Sequence, residues 1–185
     1  MSRSNSTFYG SLVIIAASFW LIIVLRLRWG GHEELPKHAA YDVSAHLLTA
    51  LVIAVALRTA HVPVPVWAVL IGGILPDVGQ FTTIIGITHA IDGSSRNGTH
   101  SLLAVLVVAS IALIDRRHAR VWIGIVVGMI THLLRDLGTG TVPLGWPFSL
   151  HVWSIAFSAY IAILVGAALA ILAIGQLGLS RHNRD

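Results

Sequence analysis

Apolar positions in this chain come in unbroken runs separated by short polar joins. The pattern predicts six helices: about Phe8 to Leu25, Val43 to Leu57, Val66 to Leu75, His100 to Ile114, Val121 to Leu137 and Leu150 to Leu177. Strands of a membrane barrel would alternate apolar and polar residues, so the continuous runs exclude that architecture. The joins carry turn and cap chemistry: WGGHEELPKHAAYD, the proline-rich LRTAHVPVP, a mixed segment from Asp77 to Thr99, the basic DRRHAR, and the glycine- and proline-rich GTGTVPLGWPFS. Asp42 or Ser44 is placed to cap the second helix. The first run, about 17 residues to Val24, is longer than a signal-peptide core, and Arg26, Arg28 and Trp29 follow where a small-residue cleavage site would be, so it reads as an uncleaved span.

The third and fourth helices are short. Fifteen residues rise only about 22 Å, against a hydrocarbon core of about 30 Å. Helices that stop below the interface would leave a polar pit at one membrane face, lined by whatever sits at their ends.

Composition turns this pattern into a class. Hydrophobic residues make up 56% of the 185, charged residues only 11%, and the mean hydropathy is +0.82. That is a single all-α integral membrane domain over residues 1–185, a polytopic helical bundle. There is no cysteine, which removes disulfides, thiolate ligands and a cysteine nucleophile. The net charge of +4 reads as topology signal and lipid contact rather than as a nucleic-acid surface.

Alternating the spans assigns each join to a side. One side carries Arg3, Arg58, Arg116, Arg117, Arg120, Arg181 and Arg184; the other carries Arg26, Arg28, Lys37, Arg96 and Arg135. The positive-inside bias makes the first side cytoplasmic, with both termini inside. The histidines sort oppositely. His32, His38, His46, His89, His100, His132 and His151 fall within a turn of the second side, with Asp42, Asp77, Asp92 and Asp136.

The stretch THLLRDLGTG, residues 131–140, holds the centre of this clustering. His132 and Asp136 are four residues apart and share one helix face, a ready pair of ligands for a divalent metal. Arg135 points elsewhere on that helix, toward the interface. His46 opens the second helix, Asp77 closes the third after Pro76, and His100 opens the fourth. These five candidate ligands, His46, Asp77, His100, His132 and Asp136, converge if a compact bundle packs the helix ends together. A cation would give the buried carboxylates a partner, where each would otherwise cost roughly 2.5–3.5 kcal/mol near the bilayer centre. The donors suffice for one closed site or for two sharing a carboxylate. With no thiolate available, zinc is the first expectation and manganese the second. Trp146, Phe148 and Trp153 read as an interfacial belt.

In order and spacing, His46, LPD (75–77), RNGTHS (96–101), HLLRDLGT (132–139) and PLGWPFS (143–149) resemble the YdjM-type family of inner-membrane metal-dependent hydrolases. The resemblance covers about residues 42–155. That family is similar, at a distance, to the all-helical zinc-dependent phospholipase C and single-strand nuclease group. The resemblance implies His46, Asp77, His100, His132 and Asp136 as metal ligands, and it matches Arg96 to the arginine that precedes the THS block. The chain departs from the family's pattern at Gly79, where a second acid is usual, at Ser95, where a histidine is usual, and at Asn97, where a glycine is usual. Those departures would lower the number of metals or pass the missing roles to His38, His89 or Asp92. Thr99, Thr139 and His151 complete the auxiliary candidates.

The expected function is hydrolysis of a lipid phosphoester, in a phospholipid or polyprenyl phosphate, in the bacterial inner membrane with the site facing outside. Asp77 or Asp136 would orient or deprotonate the attacking water, Arg96 would bind the phosphate, and loop 138–150 would serve as a lid. Two other classes are weighed. A metal-ion or proton transporter would place such residues at mid-depth and commonly carries an internal repeat, which is not found here. A scaffold with a structural metal would close its site with four ligands.

Overall fold

The computed structural model describes residues 3–29, 35–78 and 98–182, with side chains over 8–28, 41–78 and 98–177. Six helices run through these residues: α1 (Arg3–Trp29), α2 (Leu35–Thr59), α3 (Val66–Ile74), α4 (Leu102–Ile114), α5 (Ala119–Leu137) and α6 (Phe157–His182). Short 3₁₀ turns, Leu75–Asp77 and Arg116–His118, follow α3 and precede α5. Among the described residues there is no strand, only an isolated bridge between Val142 and Trp153. Three segments are long and apolar enough to cross a membrane: Phe8–Arg28, Tyr41–Thr59 and Phe157–Leu177.

α2 is the hub. It touches α1, α3, α5 and α6, and from Ala45 to Ala56 it buries side chains nearly all round. α1 and α6 instead bury one stripe each: Ile15, Ser18 and Ile22 on α1, and Tyr160, Leu164, Ala168 and Leu172 on α6. Those spacings of three and four residues keep one helical face against α2. The remaining faces, with Val13, Trp20, Leu169 and Ile174 exposed, are apolar surface that lipid would cover. Thr49 and Tyr160 join α2 to α6 through their hydroxyls at 2.7 Å.

α3 and α5 cross with their backbones in contact. A Cβ on Gly72 would collide with the Ile125 carbonyl, and one on Gly128 with the Val69 carbonyl. A Cβ on Gly124 would lie 2.7 Å from the Ala68 Cβ. Gly124 and Gly128 form a G-x-x-x-G step on α5, a spacing that lets apolar helices approach this closely.

Three helix starts near the cluster differ from the sequence reading. α2 starts at Leu35 instead of Val43, because Pro36 sits in the first turn, where its missing N–H costs nothing. Asp42 and Ser44 are therefore inside the helix and cap nothing, and His46 lies about three turns in rather than at the opening. α6 starts at Phe157 instead of Leu150. Residues 150–156 are held extended: Val142 and Trp153 exchange backbone hydrogen bonds of 2.9 Å, and the Ile155 N–H donates to the Leu137 carbonyl at 2.8 Å. α4 starts at Leu102, with Ser101 as its cap accepting from the Ala104 N–H at 3.2 Å.

Candidate metal centre

Four pieces of chain deliver the polar groups to one place. α2 presents Asp42 and His46, one helical turn apart. The 3₁₀ turn after α3 presents Asp77. The residue before the α4 cap is His100. The last turns of α5 present His132 and Asp136. His46 and His132 are fully buried, and His100 and Asp77 are 2% and 4% exposed.

The donor atoms face each other. His46 Nε2 lies 3.2 Å from Asp136 Oδ1, 3.7 Å from Asp77 Oδ2 and 3.8 Å from Asp42 Oδ1. On the other flank, His100 Nε2 lies 3.2 Å from Asp77 Oδ1 and 3.3 Å from Asp136 Oδ2. His132 Nε2 lies 3.2 Å from the same Asp136 oxygen, 3.8 Å from Asp77 Oδ1 and 3.1 Å from His100 Nε2. Asp77 and Asp136 thus each turn one oxygen toward His46 and the other toward the pair His100 and His132. The His46 and His132 rings stack at 3.8 Å between centroids, and His100 meets His132 edge-on.

The surroundings fix which nitrogens face inward. His132 Nδ1 is 2.9 Å from the Gly73 carbonyl oxygen. A carbonyl only accepts, so Nδ1 carries the proton and the neutral ring's Nε2 presents its lone pair to the cluster. Metal-binding histidines are oriented in this way by a backbone carbonyl. The Thr99 hydroxyl holds His100 Nδ1 at 3.0 Å and leaves Nε2 facing inward. Neither nitrogen of His46 has a hydrogen-bond partner among the described residues; its close approach to Asp136 lacks hydrogen-bond geometry. A buried imidazole without partners is costly, and a cation beside Nε2 would give one of the two nitrogens a partner.

The donor set fits a divalent ion. A tetrahedral ion with bonds of about 2.0–2.1 Å holds its ligands about 3.3 Å apart. The separations above bracket that value. Three overlapping groups have their donor atoms within 4.8 Å of one another: His46 with His132 and Asp136, Asp77 with His100 and His132, and Asp42 with His46 and Asp77.

A family model, the YdjM inner membrane protein, matches residues 42–184, a span that contains every residue of this cluster. The chain belongs to the YdjM inner membrane protein family. No curated protein and no solved structure matches the chain. The family membership and the three apolar spans make this a membrane protein.

The structure therefore brings together His46, Asp77, His100, His132 and Asp136. Of the auxiliary candidates, Thr99 orients His100, and Thr139 bonds Arg135 rather than the cluster. His151 is exposed and packs edge-on against Trp153. Arg96, His89, Asp92, Gly79, Ser95 and Asn97 lie outside the described residues, as does the His38 side chain.

Two residues were misjudged from sequence. Arg135 does not point to the interface: it is 1% exposed and donates to the Tyr41 hydroxyl at 2.8 Å. Asp42, expected as a cap, faces His46. A signal for Asp42 was present in the DVSAH spacing, which places it and His46 four residues apart on one face once the helix is known to start earlier.

Proposed function

We propose that the chain is a membrane-embedded, metal-dependent hydrolase that cleaves a phosphoester of a membrane lipid. The observation that carries this reading is the convergence of three imidazoles and three carboxylates, mostly buried, with both nitrogens of His46 lacking partners. The donors are nitrogen and oxygen only, which favours zinc and leaves manganese as the second choice.

His46, Asp136 and Asp77 would hold an ion on one flank, and His100, His132, Asp77 and Asp136 would hold one on the other. A divalent cation supplies Lewis acidity toward a phosphoryl oxygen and toward water. The chain's own residues do the rest. Gly73 and Thr99 orient His132 and His100, so that no ring has to turn during turnover. On a flank that holds no ion, the spare carboxylate oxygen of Asp77 or Asp136 would accept the proton of the attacking water. Arg96, close in sequence to His100, binds the phosphate through its planar fork.

Short helices support a lipid as the substrate. α3 and α4 rise about 13 and 20 Å, well under the roughly 30 Å hydrocarbon core. Their site-facing ends are therefore below headgroup level when their other ends are at the opposite surface. A phospholipid or polyprenyl phosphate would reach the cluster from the side with its tail still in the bilayer. In this reading the chain lies in a bacterial inner membrane with both termini cytoplasmic and the site open to the outside.

The test pairs metal content with turnover. The purified wild type is expected to contain divalent metal and to hydrolyse at least one member of a panel of phospholipids and polyprenyl phosphates. His132→Ala is expected to lose both. Metal retained in the wild type with no turnover on any lipid would move the reading to a structural metal. Metal-dependent flux into liposomes without hydrolysis would make it a transporter.

A further inference from the structure

Arg135 is the largest side chain fully buried in the described residues. Its Nη2 donates to the Tyr41 hydroxyl, its Nη1 to the Thr139 hydroxyl, and its Nε has no partner among the described residues. Nη2 also lies 3.8 Å from Asp42 Oδ1. That same oxygen lies 3.8 Å from His46 Nε2. Asp42 Oδ1 thus stands between a fixed guanidinium and the flank of the cluster where His46 lacks partners.

Neither separation is a hydrogen bond; α2 places this carboxylate between the two cationic positions, where charge acts on it. Asp42 is a third acid beside Asp77 and Asp136, and like charges this close repel. A buried guanidinium without a counter-charge is costly in its own right. Both costs fall if Asp42 turns one side to Arg135 and the other to a cation beside His46. A capping role is excluded, because Asp42 lies inside α2. A simple staple between α5 and α2 accounts for the Tyr41 bond, but not for the guanidinium's position against the carboxylate.

We propose, resting on the metal-centre reading above, that Asp42 is a ligand of the ion beside His46 and that Arg135 is the residue that positions it. Arginine suits the role because it stays charged when buried and its planar fork is held at both ends, by Tyr41 and Thr139. Partners of this kind orient ligating carboxylates and typically change metal affinity 10–100-fold when removed.

The full-length protein in detergent micelles, stripped with a chelator, is titrated with zinc alone against a chromophoric competitor. Asp42→Asn and Arg135→Gln are each expected to weaken binding of one zinc by about 10–100-fold. The double variant should bind no more weakly than Asp42→Asn alone, since Arg135 acts through Asp42. Arg135→Lys, which keeps the charge and loses the fork, should fall between the wild type and Arg135→Gln. A purely structural role would lower the thermal midpoint of the metal-free protein with no coupling to Asp42. The proposal is overturned if Asp42→Asn binds zinc as the wild type does, or if the two losses multiply. Should Arg135→Gln not fold, Asp42→Asn and Arg135→Lys still decide. A wild type that binds no zinc and no manganese sinks the metal centre itself, whereas a normal wild type with an unaffected Asp42→Asn sinks only this assignment.

Discussion

His132 and His46 differ in what holds them. His132 is tied to the Gly73 carbonyl and fully buried, whereas His46 stacks on it with neither nitrogen satisfied. The first ring is held by the protein itself; the second is not. Zinc at a hundred times its Kd should therefore stabilise the protein by about 2.7 kcal/mol. That increment, read as a rise in thermal midpoint on adding zinc, is expected to vanish in His132→Ala. An equal rise in the variant would place zinc elsewhere. Away from the centre, Asp115 in the turn between α4 and α5 accepts from the Trp122 indole at 3.1 Å and lies 2.9 Å from His118 Nδ1. The indole bond first, and His118 second, hold its carboxyl below the ordinary range. A carboxyl depressed in the folded state stabilises above its unfolded value of about 3.9 and loses that contribution as pH falls through the folded value. Asp115→Asn should thus lower the thermal midpoint at neutral pH, and the gap to the wild type should close once pH drops well below about 4. The pairing of His132 with Asp136 was legible in the sequence because four-residue spacing puts them on one face whatever the tertiary fold. Arg135 was not, since its direction depends on where Tyr41 sits.

Among the elements, the crossing of α3 and α5 governs the site. Gly73 offers its carbonyl to His132 and packs its Cα within reach of α2, where an added Cβ would lie 2.7 Å from the Ala50 Cβ. Gly128 stands one turn before His132 and abuts Val69. Gly128→Val should push the helices apart, at a cost of roughly 1–3 kcal/mol or more, and carry His132 away from Gly73. The expected result is a folded or weakly folded protein with markedly lower zinc affinity. A Gly128→Val variant that binds zinc as the wild type does would mean that the close crossing is not what sets the ligand. The hydrophobic runs announced each helix, because burial in lipid or core requires them. They did not announce the early start of α2, whose first turns are polar yet helix-compatible, nor the late start of α6. Residues 150–156 are apolar enough to read as helix. Their pairing with Val142 and Leu137 is a long-range choice that periodicity cannot register. The G-x-x-x-G step stands in the sequence as GIVVG, but small residues alone do not say which helix they face.

At the scale of the molecule, the proposed orientation rests on the distribution of charge. Arg116, Arg117 and Arg120 cluster at the turn that joins α4 to α5, and His100, His132 and Asp136 lie at the opposite ends of those helices. Basic turns are retained on the cytoplasmic side, so the proposed orientation puts the cluster on the outer side, beside the loop that follows α5. That loop is anchored at its stem: the Leu102 N–H donates to the Leu144 carbonyl at 3.0 Å, and Val142 is 1% exposed. Its tip is not, with Phe148 88% and Leu150 78% exposed. A lid over the recess would then have to move at 145–150 while its stem stays in place. The native chain has no cysteine, so Leu150→Cys gives a single reporter at the tip. In intact cells it should react with a membrane-impermeant thiol reagent added from outside. Labelling only after lysis would put the loop, and with it the metal cluster, on the cytoplasmic face. Lipid substrates would then have to come from the inner leaflet, and the basic turn between α4 and α5 would be an exception to the charge rule rather than an instance of it.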